Sequence, residues 1–231
     1  MSTHTAPSSK ARTMDFGGLS ICFDKRIIEP RPWTAAQSRW AAELLDHLPD
    51  GPVLELCCGA GHIGLMAVRD QDRQLAQIDI DPIACHYATL NAERAHLSGR
   101  VQVRCGPMQD ALAPQESFAL IIADPPYLPS ASVSQYPQDP RQAIDGGQGG
   151  FDLIADCLSI INTHLAVSGA ALLQVSNLTQ ARDLEKYLVE HSEMRLARVD
   201  ERDCHEGALV HITRSSVCQG ITTDEHQPGS P

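Results

Sequence analysis

The tetrapeptide Asp124, Pro125, Pro126 and Tyr127 follows the apolar run SFALIIA, and its residue types suit chemistry on a planar nitrogen. The lone pair of a nucleobase amine or a carboxamide is delocalised, so its nitrogen is a poor nucleophile. Asp124 and the Pro125 carbonyl can accept hydrogen bonds from the N–H groups of such a nitrogen and hold it in line with an electrophile. The prolines fix the backbone and offer no competing N–H, while Tyr127 offers a flat surface. The sequence therefore predicts a catalytic turn.

A glycine-rich turn precedes this tetrapeptide in the stretch LELCCGAGHIG. Gly59, Gly61 and Gly64 form a G-x-G-x-x-G pattern between a predicted strand and a predicted helix. This pattern permits a tight turn and lets a ligand approach the backbone. It also occurs in turns that only connect a strand to a helix, so alone it leaves both interpretations open.

Acidic residues around the glycine turn favour a cationic nucleoside as the ligand. Glu55, at the end of the predicted strand, would repel a pyrophosphate but hold an ammonium group. Asp79 ends the next strand, where a carboxylate can bind both ribose hydroxyls, and Asp81, before Pro82, is expected to cap a helix. These residues predict S-adenosylmethionine, with S-adenosylhomocysteine as product, and Glu55 argues against NAD. The predicted cofactor-binding residues are Glu55, Cys57, Gly59, Gly61, Gly64, Asp79, Ile80, Asp110 and Asp124.

The elements that must hold these residues alternate along the chain. From residue 52, strand-like segments (PVLEL, QLAQIDI, VQVRC, SFALIIA, GAALLQVS) alternate with segments of helical periodicity. This order predicts a doubly wound, mainly parallel α/β sheet. The final segments, MRLARVDERD and GALVHITR, leave no room for a helix between them, so the last strand is expected to run antiparallel.

The order of predicted elements and the composition of the chain ends divide the chain into four parts. Residues 51–214 are expected to form the catalytic domain, and residues 16–50 a strand and a helix over the active site, with Thr34 as the helix N-cap. Residues 1–15 and 215–231 are polar and predicted to be flexible tails. The stretch 128–150 is a long loop directly after the catalytic turn, where a doubly wound sheet binds ligands, so we expect it to face the substrate.

The combination LELCCGAGHIG, IDID and ADPPY resembles the class I S-adenosylmethionine-dependent methyltransferases. This resemblance implies a seven-stranded, Rossmann-like sheet with an antiparallel last strand. Over roughly residues 28–213, the segments EPRPWTAAQ, ADPPYLPS and AIDGGQGGFDLI are similar to the HemK-like (release-factor glutamine) N-methyltransferases. That resemblance implies a protein glutamine as acceptor. It also implies the substrate-binding residues Arg31, Trp33, Thr34, Tyr127, Asp145, Gly146 and Gly147.

Asp124 stands where the HemK-like enzymes have Asn. An Asn side chain can both accept from and donate to a carboxamide, whereas an ionised Asp only accepts and suits an amine better. The open alternatives are therefore a glutamine amide, an exocyclic amino group of RNA or DNA, and a small metabolite. A non-catalytic subunit that binds the cofactor and scaffolds a partner is a further alternative.

Charge and composition narrow the possible partners. The chain has 29 acidic and 18 basic residues, a formal net charge of −11, which disfavours sequence-independent binding to a phosphate backbone. A protein or small-molecule substrate is therefore favoured over a nucleic acid. No apolar run approaches the roughly 18 residues of a membrane helix, and the eight cysteines include no CxxC pair, so a cytoplasmic protein with reduced thiols is expected. No metal is predicted, because Cys204 and His205 in DCHEGALVH would point to opposite faces of a strand.

Overall fold

A computed structural model describes residues 11–204 and 206–215 of the chain. Strands and helices alternate through its centre, as predicted from the sequence. The strands are β1 (Arg12–Phe16), β2 (Leu19–Phe23), β3 (Val53–Leu56), β4 (Leu75–Asp79), β5 (Val101–Cys105), β6 (Phe118–Ala123), β7 (Leu165–Val175), β8 (Leu196–Cys204) and β9 (Gly207–Arg214). The helices are α1 (Ala35–Leu45), α2 (His62–Val68), α3 (Pro82–Arg94), α4 (Asp152–His164) and α5 (Leu178–Glu190).

Seven of these strands form one sheet in the order β5-β4-β3-β6-β7-β9-β8. Neighbours from β5 to β7 pair in parallel, and β9 pairs antiparallel with both β7 and β8. The predicted fold class, a doubly wound and mainly parallel seven-stranded sheet with an antiparallel last strand, is confirmed. Because the central strands are parallel, their carboxyl ends meet at one edge of the sheet.

Alternating side chains of the central strands enter two separate cores, one on each face of the sheet. Val53 and Leu120 belong to the core that includes residues of α1, α2 and α3, whereas Leu54 and Ile121 belong to the core that includes residues of α4 and α5. Strands β3 and β6 are buried along their whole length, as expected for a parallel sheet covered by helices on both faces. The residues that follow these strands therefore start from fixed positions. None of the helices in the described ranges has the length and hydrophobicity of a membrane span.

A two-stranded hairpin of β1 and β2 precedes the main sheet. The prediction of a flexible tail over residues 1–15 is therefore wrong for residues 12–15, which pair with β2 although most side chains of β1 are exposed. Asn91 of α3 fixes β2, since it accepts a hydrogen bond from the Cys22 N–H at 2.7 Å and donates to the Cys22 carbonyl at 2.9 Å. The predicted tails at residues 1–10 and 216–231, and His205 of the metal hypothesis, lie outside the described residues.

The stretch 128–150, predicted as a long loop, has local structure of its own. It contains two short 3-10 helices, Ser130–Gln135 and Arg141–Ala143. A parallel β-bridge between Leu128 and Asp145 closes its base. The ends of the loop are thereby held together beside the end of β6.

Candidate active site

A cavity of about 1340 Å³ opens at the edge where the parallel strands end. Its described lining carries eight acidic and three basic side chains, so it suits a cationic or neutral ligand better than an anionic one. It brings together predicted residues from distant parts of the sequence. The predicted site residues that line it are Arg31, Trp33, Thr34, Cys57, Gly59, Asp79, Ile80, Asp124, Pro125, Pro126, Tyr127 and Asp145.

The glycine turn after β3 runs through left-handed backbone. Cys57, Gly59 and Gly61 have φ values of 54°, 52° and 76°, a region that glycine enters at little cost and other residues seldom occupy. Cys57 and Gly59 line the cavity. Gly61 instead faces the protein interior, where an added Cβ would lie 2.7 Å from Gln77 Nε2. His62 begins α2, so its role in this turn is structural.

Asp79, at the end of β4, holds the glycine turn from the neighbouring strand. Its Oδ2 accepts a hydrogen bond from the Gly59 N–H at 2.8 Å, and its Oδ1 accepts one from the Asp81 N–H at 2.9 Å. Burial raises the pKa of Asp79, although both hydrogen bonds oppose this. Asp81 caps α3 as predicted, since its carboxylate accepts from the Ile83 N–H at 2.8 Å. Asp79 and the exposed side chain of Ile80 thus face the cavity from one strand end.

Glu55 lies beneath the glycine turn and does not line the cavity, which corrects its prediction as the residue that holds an ammonium group. Side chains alternate along β3, and that of Glu55 points towards α2. Its Oε2 accepts from Gln77 Nε2 at 2.6 Å, and Gln77 also donates to the Gly61 carbonyl at 2.8 Å. Burial raises the pKa of Glu55 to about 8. Because a Cβ at Gly64 would collide with Glu55, Gly64 serves this packing and not a ligand.

The predicted catalytic turn, Asp124 to Tyr127, forms one wall of the cavity. The Asp124 carboxyl group makes no hydrogen bond or ion pair with the described residues, and burial raises its pKa to about 7. Tyr127 packs on the core that includes residues of α4 and α5, and burial raises the pKa of its hydroxyl group well above the usual range. The turn therefore presents a poorly solvated carboxyl group, with all its lone pairs available, to a bound molecule.

The loop after this turn packs against the turn's backbone. The Leu128 N–H donates to the Ile144 carbonyl at 3.1 Å, and the Gly146 N–H donates to the Leu128 carbonyl at 2.8 Å. An added Cβ at Gly146 would lie only 2.7 Å from the Pro126 carbonyl oxygen. Gly146 therefore braces the turn from behind. Neither Gly146 nor Gly147, both predicted as substrate-binding residues, lines the cavity.

Asp145 organises the base of this loop. It accepts hydrogen bonds from Ser130 Oγ at 2.6 Å and from the Gly147 N–H at 3.1 Å, and it forms an ion pair with Arg141 at 2.9 Å. The hydrogen bonds from Ser130 and Gly147 are the main reasons that the pKa of Asp145 is lowered. Asp145 is therefore an ionised residue already satisfied by its neighbours.

Gln180 of α5 joins the catalytic turn to the loop and was not predicted from the sequence. Its Nε2 donates to the Tyr127 carbonyl at 3.2 Å and to the Gly150 carbonyl at 2.9 Å, while its Oε1 accepts from the Ser176 N–H at 2.7 Å. Only 8% of the residue is exposed, so water competes poorly for these partners. Gln180 therefore fixes the backbone that follows Asp124.

Arg31 connects the N-terminal segment to the loop. Its Nη2 lies 2.6 Å from both carboxylate oxygens of Asp139, and its guanidinium carbon lies 5.7 Å from the centre of the Trp33 ring. Thr34 occupies the N-cap position of α1, as predicted, but its side chain does not cap the helix, because its hydroxyl group donates back to the Arg31 carbonyl at 2.8 Å. The segment thus forms a wall of the cavity, held by an ion pair with Asp139 that the sequence did not reveal.

Two further residues differ from the sequence predictions. Asp110, predicted to reach the cofactor, is exposed and does not line the cavity; Met108 and Gln109 line it instead. Gln37 of α1, not predicted, donates to the carbonyl of Ala123 at 3.0 Å, directly before Asp124, and to that of Leu172 at 3.1 Å. No local motif marks Gln37, because its partners are backbone atoms far away in the sequence.

The amino-acid sequence of this chain is similar to those of known methyltransferases. Residues 37–136 match the family model described as methyltransferase small domain. The chain is 27% identical over 175 residues to the release factor glutamine methyltransferase of Rhodopirellula baltica, a match that covers 70% of this chain and 58% of that protein. It is 28% identical over 161 residues to the ribosomal protein uL3 glutamine methyltransferase of Bordetella pertussis, covering 67% of this chain and 54% of that protein. The chain therefore spans little more than half the length of these relatives.

Solved structures agree on the fold. The catalytic domain of human Mettl16, determined in complex with the MAT2A 3'UTR hairpin 1, superposes with a TM-score of 0.69 at 16% identity and covers 87% of this chain and 76% of that one. This chain has a class I methyltransferase fold. The N-terminal domain of human METTL16 in complex with SAH also superposes, with a TM-score of 0.58 at 17% identity, and covers 85% of this chain and 76% of that one. The resemblance to HemK-like methyltransferases found in the sequence is confirmed.

Proposed function

We propose that this chain is an S-adenosylmethionine-dependent N-methyltransferase whose acceptor is the side-chain amide of a protein glutamine. One observation carries this function: the Asp124–Tyr127 turn, the glycine turn and Asp79 line the same acidic cavity. The printed names of the two curated relatives, both glutamine methyltransferases, support the choice of acceptor. Because those names include a release factor and a ribosomal protein, we also propose that the chain acts in the cytoplasm.

The cavity fits S-adenosylmethionine by its charge and by its backbone. Gly59 leaves the turn open, since an added Cβ there would meet no atom closer than 3.9 Å. Asp79 would accept hydrogen bonds from the ribose hydroxyls through lone pairs left free by its backbone partners, and Ile80 and Met108 offer apolar surface to the adenine. The excess of acidic side chains suits the positive sulfonium and ammonium groups. S-adenosylhomocysteine would be the product.

The residues around Asp124 perform the positioning that a planar nitrogen needs. When bound, S-adenosylmethionine would supply an electrophilic methyl group: the acceptor nitrogen would gain an N–C bond as the C–S bond breaks with its electron pair left on sulfur, and the nitrogen would lose one proton to solvent. Asp124 and the Pro125 carbonyl would accept the N–H hydrogen bonds that orient the nitrogen. Tyr127 would pack against the flat amide.

The charges of the cavity favour a protein over a nucleic acid as the acceptor. Phosphate binding requires available Lys or Arg side chains. Every arginine that lines the cavity is instead engaged by a carboxylate. The pairs are Arg26–Asp24 and Arg31–Asp139, both at 2.6 Å, and Arg141–Asp145 at 2.9 Å. An exocyclic amine of a nucleobase remains the second candidate, because an ionised Asp124 would accept from an amine without meeting a carbonyl oxygen.

A transfer experiment tests the acceptor class. The protein would be incubated with S-adenosylmethionine labelled in its methyl group and with cell extract, and separate portions of the product would be treated with protease or with nuclease. We expect the label in macromolecules to be lost with protease and kept with nuclease. Loss with nuclease alone would establish the nucleobase alternative, and label confined to small molecules would establish a metabolite acceptor.

Asp124→Ala provides the control for this experiment. Transfer by the wild-type protein that disappears in Asp124→Ala would assign the activity to this cavity. If the wild-type protein binds S-adenosylhomocysteine in calorimetry but transfers no label to any fraction, the chain is a cofactor-binding scaffold and not an enzyme.

A further inference from the structure

We propose that Asp124 acts in its neutral, protonated form, donating its O–H to the carbonyl oxygen of the acceptor amide and accepting an N–H through its other oxygen. This role rests on the proposed function and names how the site recognises a carboxamide. In its neutral form an Asp carboxyl group carries a donor and an acceptor side by side. It thereby offers both the donor and the acceptor that one carboxamide needs, as would the Asn that the resemblance to HemK-like enzymes implies at this position.

The surroundings of Asp124 provide nothing that would hold a negative charge. No N–H group or cation of the described residues contacts its carboxyl group. Asp79 is different, because it accepts two backbone N–H groups, and so is Asp145, which has two hydrogen-bond donors and an arginine. Asp124 is half-buried, and a poorly solvated carboxylate without a partner is costly and favours the protonated form.

No neighbouring cation offsets this cost. Glu55 is buried beneath the same strand ends, and it faces no cation in the described chain. Arg31, a cation of the cavity wall, is bound to Asp139. Burial accordingly raises the pKa of Asp124 to about 7. Besides Asp124, the titratable groups that line the cavity or lie beneath it are Glu55, Cys57, Asp79, Asp81, Arg26, Arg31, Tyr127, Tyr136, Asp139, Arg141, Asp145, Asp156, Asp203, Cys204 and Glu206.

The neutral form also removes a conflict with the acceptor. An ionised Asp124 would place a negative oxygen against the carbonyl oxygen of the amide, which has no proton to offer. The protonated group can instead form two hydrogen bonds with one carboxamide. It keeps its proton through the transfer, since the proton released by the amide nitrogen passes to solvent.

The pH dependence of the rate tests this form of Asp124. Release factor and ribosomal protein uL3, the acceptors named for the relatives, would be methylated at saturating S-adenosylmethionine between pH 6 and pH 8. With a midpoint near 7, the neutral fraction falls from about 90% to about 10%, so the wild-type rate should fall roughly tenfold. Asp124→Asn should abolish this fall and exceed the wild-type rate at pH 8. A wild-type rate that rises with pH would overturn the proposal.

A matched control and a direct titration complete the test. Asp183→Asn, on the exposed face of α5, should keep the wild-type pH profile. Carboxyl ¹³C NMR of the aspartate-labelled protein without cofactor should show a signal that titrates near pH 7 and is absent in Asp124→Asn. A midpoint near 4 for that signal would refute the neutral form. If the midpoint is near 7 but neither acceptor is methylated, the neutral form stands and the glutamine function fails.

Discussion

Replacing Gln180 by Met would test whether the catalytic turn depends on a buried amide. Met has nearly the same length and shape and a similar helix propensity, so the change removes hydrogen bonds with little change in packing. The wild-type side chain makes three hydrogen bonds, to the carbonyls of Tyr127 and Gly150 and to the N–H of Ser176. All three partners are backbone groups that Met cannot satisfy.

The expected loss follows from these bonds. A net contribution of about 1 kcal/mol for each hydrogen bond predicts a decrease of about 3 kcal/mol in the free energy of unfolding. For a domain of this size, that corresponds to a fall of roughly 6–12 °C in melting temperature. Because the freed Tyr127 carbonyl belongs to the catalytic turn, kcat should fall about 10- to 100-fold, whereas the Kd for S-adenosylhomocysteine should change by less than about threefold.

Urea unfolding, calorimetry with S-adenosylhomocysteine and steady-state kinetics would measure the three quantities. Arg182→Met, at an exposed position of the same helix, is the control and should leave all three unchanged. Gln180→Glu adds a second comparison: it keeps an acceptor for the Ser176 N–H but loses both donors to the carbonyls, so its kcat should fall at least as much as that of Gln180→Met. If Gln180→Glu retains the wild-type kcat, or if Gln180→Met unfolds within about 0.5 kcal/mol of the wild type, Gln180 does not position the turn.

Three other substitutions probe the packing beneath and around the cavity. Glu55→Gln should raise the free energy of unfolding by about 3 kcal/mol at pH 7 and leave it unchanged below pH 4. The pKa of Glu55 is about 8 in the folded protein against 4.5 ordinarily, so the wild type loses stability as the pH rises between these values. Urea titrations at both pH values would measure the difference, and equal stabilities of the two proteins at pH 7 would contradict it. Gly146→Ala places a Cβ 2.7 Å from the Pro126 carbonyl oxygen, which should lower the free energy of unfolding by about 1–3 kcal/mol and also lower kcat. Thermal unfolding and steady-state kinetics would measure both effects, and an unchanged kcat would show that Gly146 does not brace the turn. Asp139→Asn leaves Arg31 without its charged partner. It should lower kcat/KM for the protein acceptor roughly tenfold and leave the affinity for the cofactor unchanged. Weaker binding of S-adenosylhomocysteine in calorimetry would show instead that the ion pair contributes to cofactor binding.

The sequence was most informative where function follows from the end of a strand. Asp79 and Asp124 each end or follow an apolar strand of a parallel sheet, and such ends converge at one edge. The sequence could therefore predict that these two carboxylates share a cavity. Ile80, Cys57 and the prolines of the turn follow from the same rule, because they are next to these positions in the chain.

The position of Glu55 could not be predicted from the ends of the strands alone. Glu55 lies between Leu54 and Leu56, so strand alternation already assigns it to the opposite face from its neighbours. What the sequence did not show is Gln77, the partner from the adjacent strand that holds Glu55 under the glycine turn. A charge argument based on sequence proximity alone placed this carboxylate in the cavity.

Residues that act through distant backbone groups had no sequence signal. Gln180 is 53 residues from Tyr127 and 30 from Gly150, and amide side chains at helix positions are ordinarily exposed. The strand β1 was missed for a related reason, since its pairing uses backbone atoms while most of its side chains are exposed. In each case the tertiary arrangement, and not a local pattern, determines the role.

The most direct test of the proposed methyl transfer is peptide mass spectrometry of a defined acceptor. Release factor or uL3 would be incubated with S-adenosylmethionine and either the wild-type protein or Asp124→Ala, and then digested and sequenced. We predict a single added methyl group on a glutamine side chain with the wild-type protein and none with Asp124→Ala. A methyl group on any other residue type, or equal methylation by Asp124→Ala, would contradict transfer to a glutamine amide at the Asp124–Tyr127 turn.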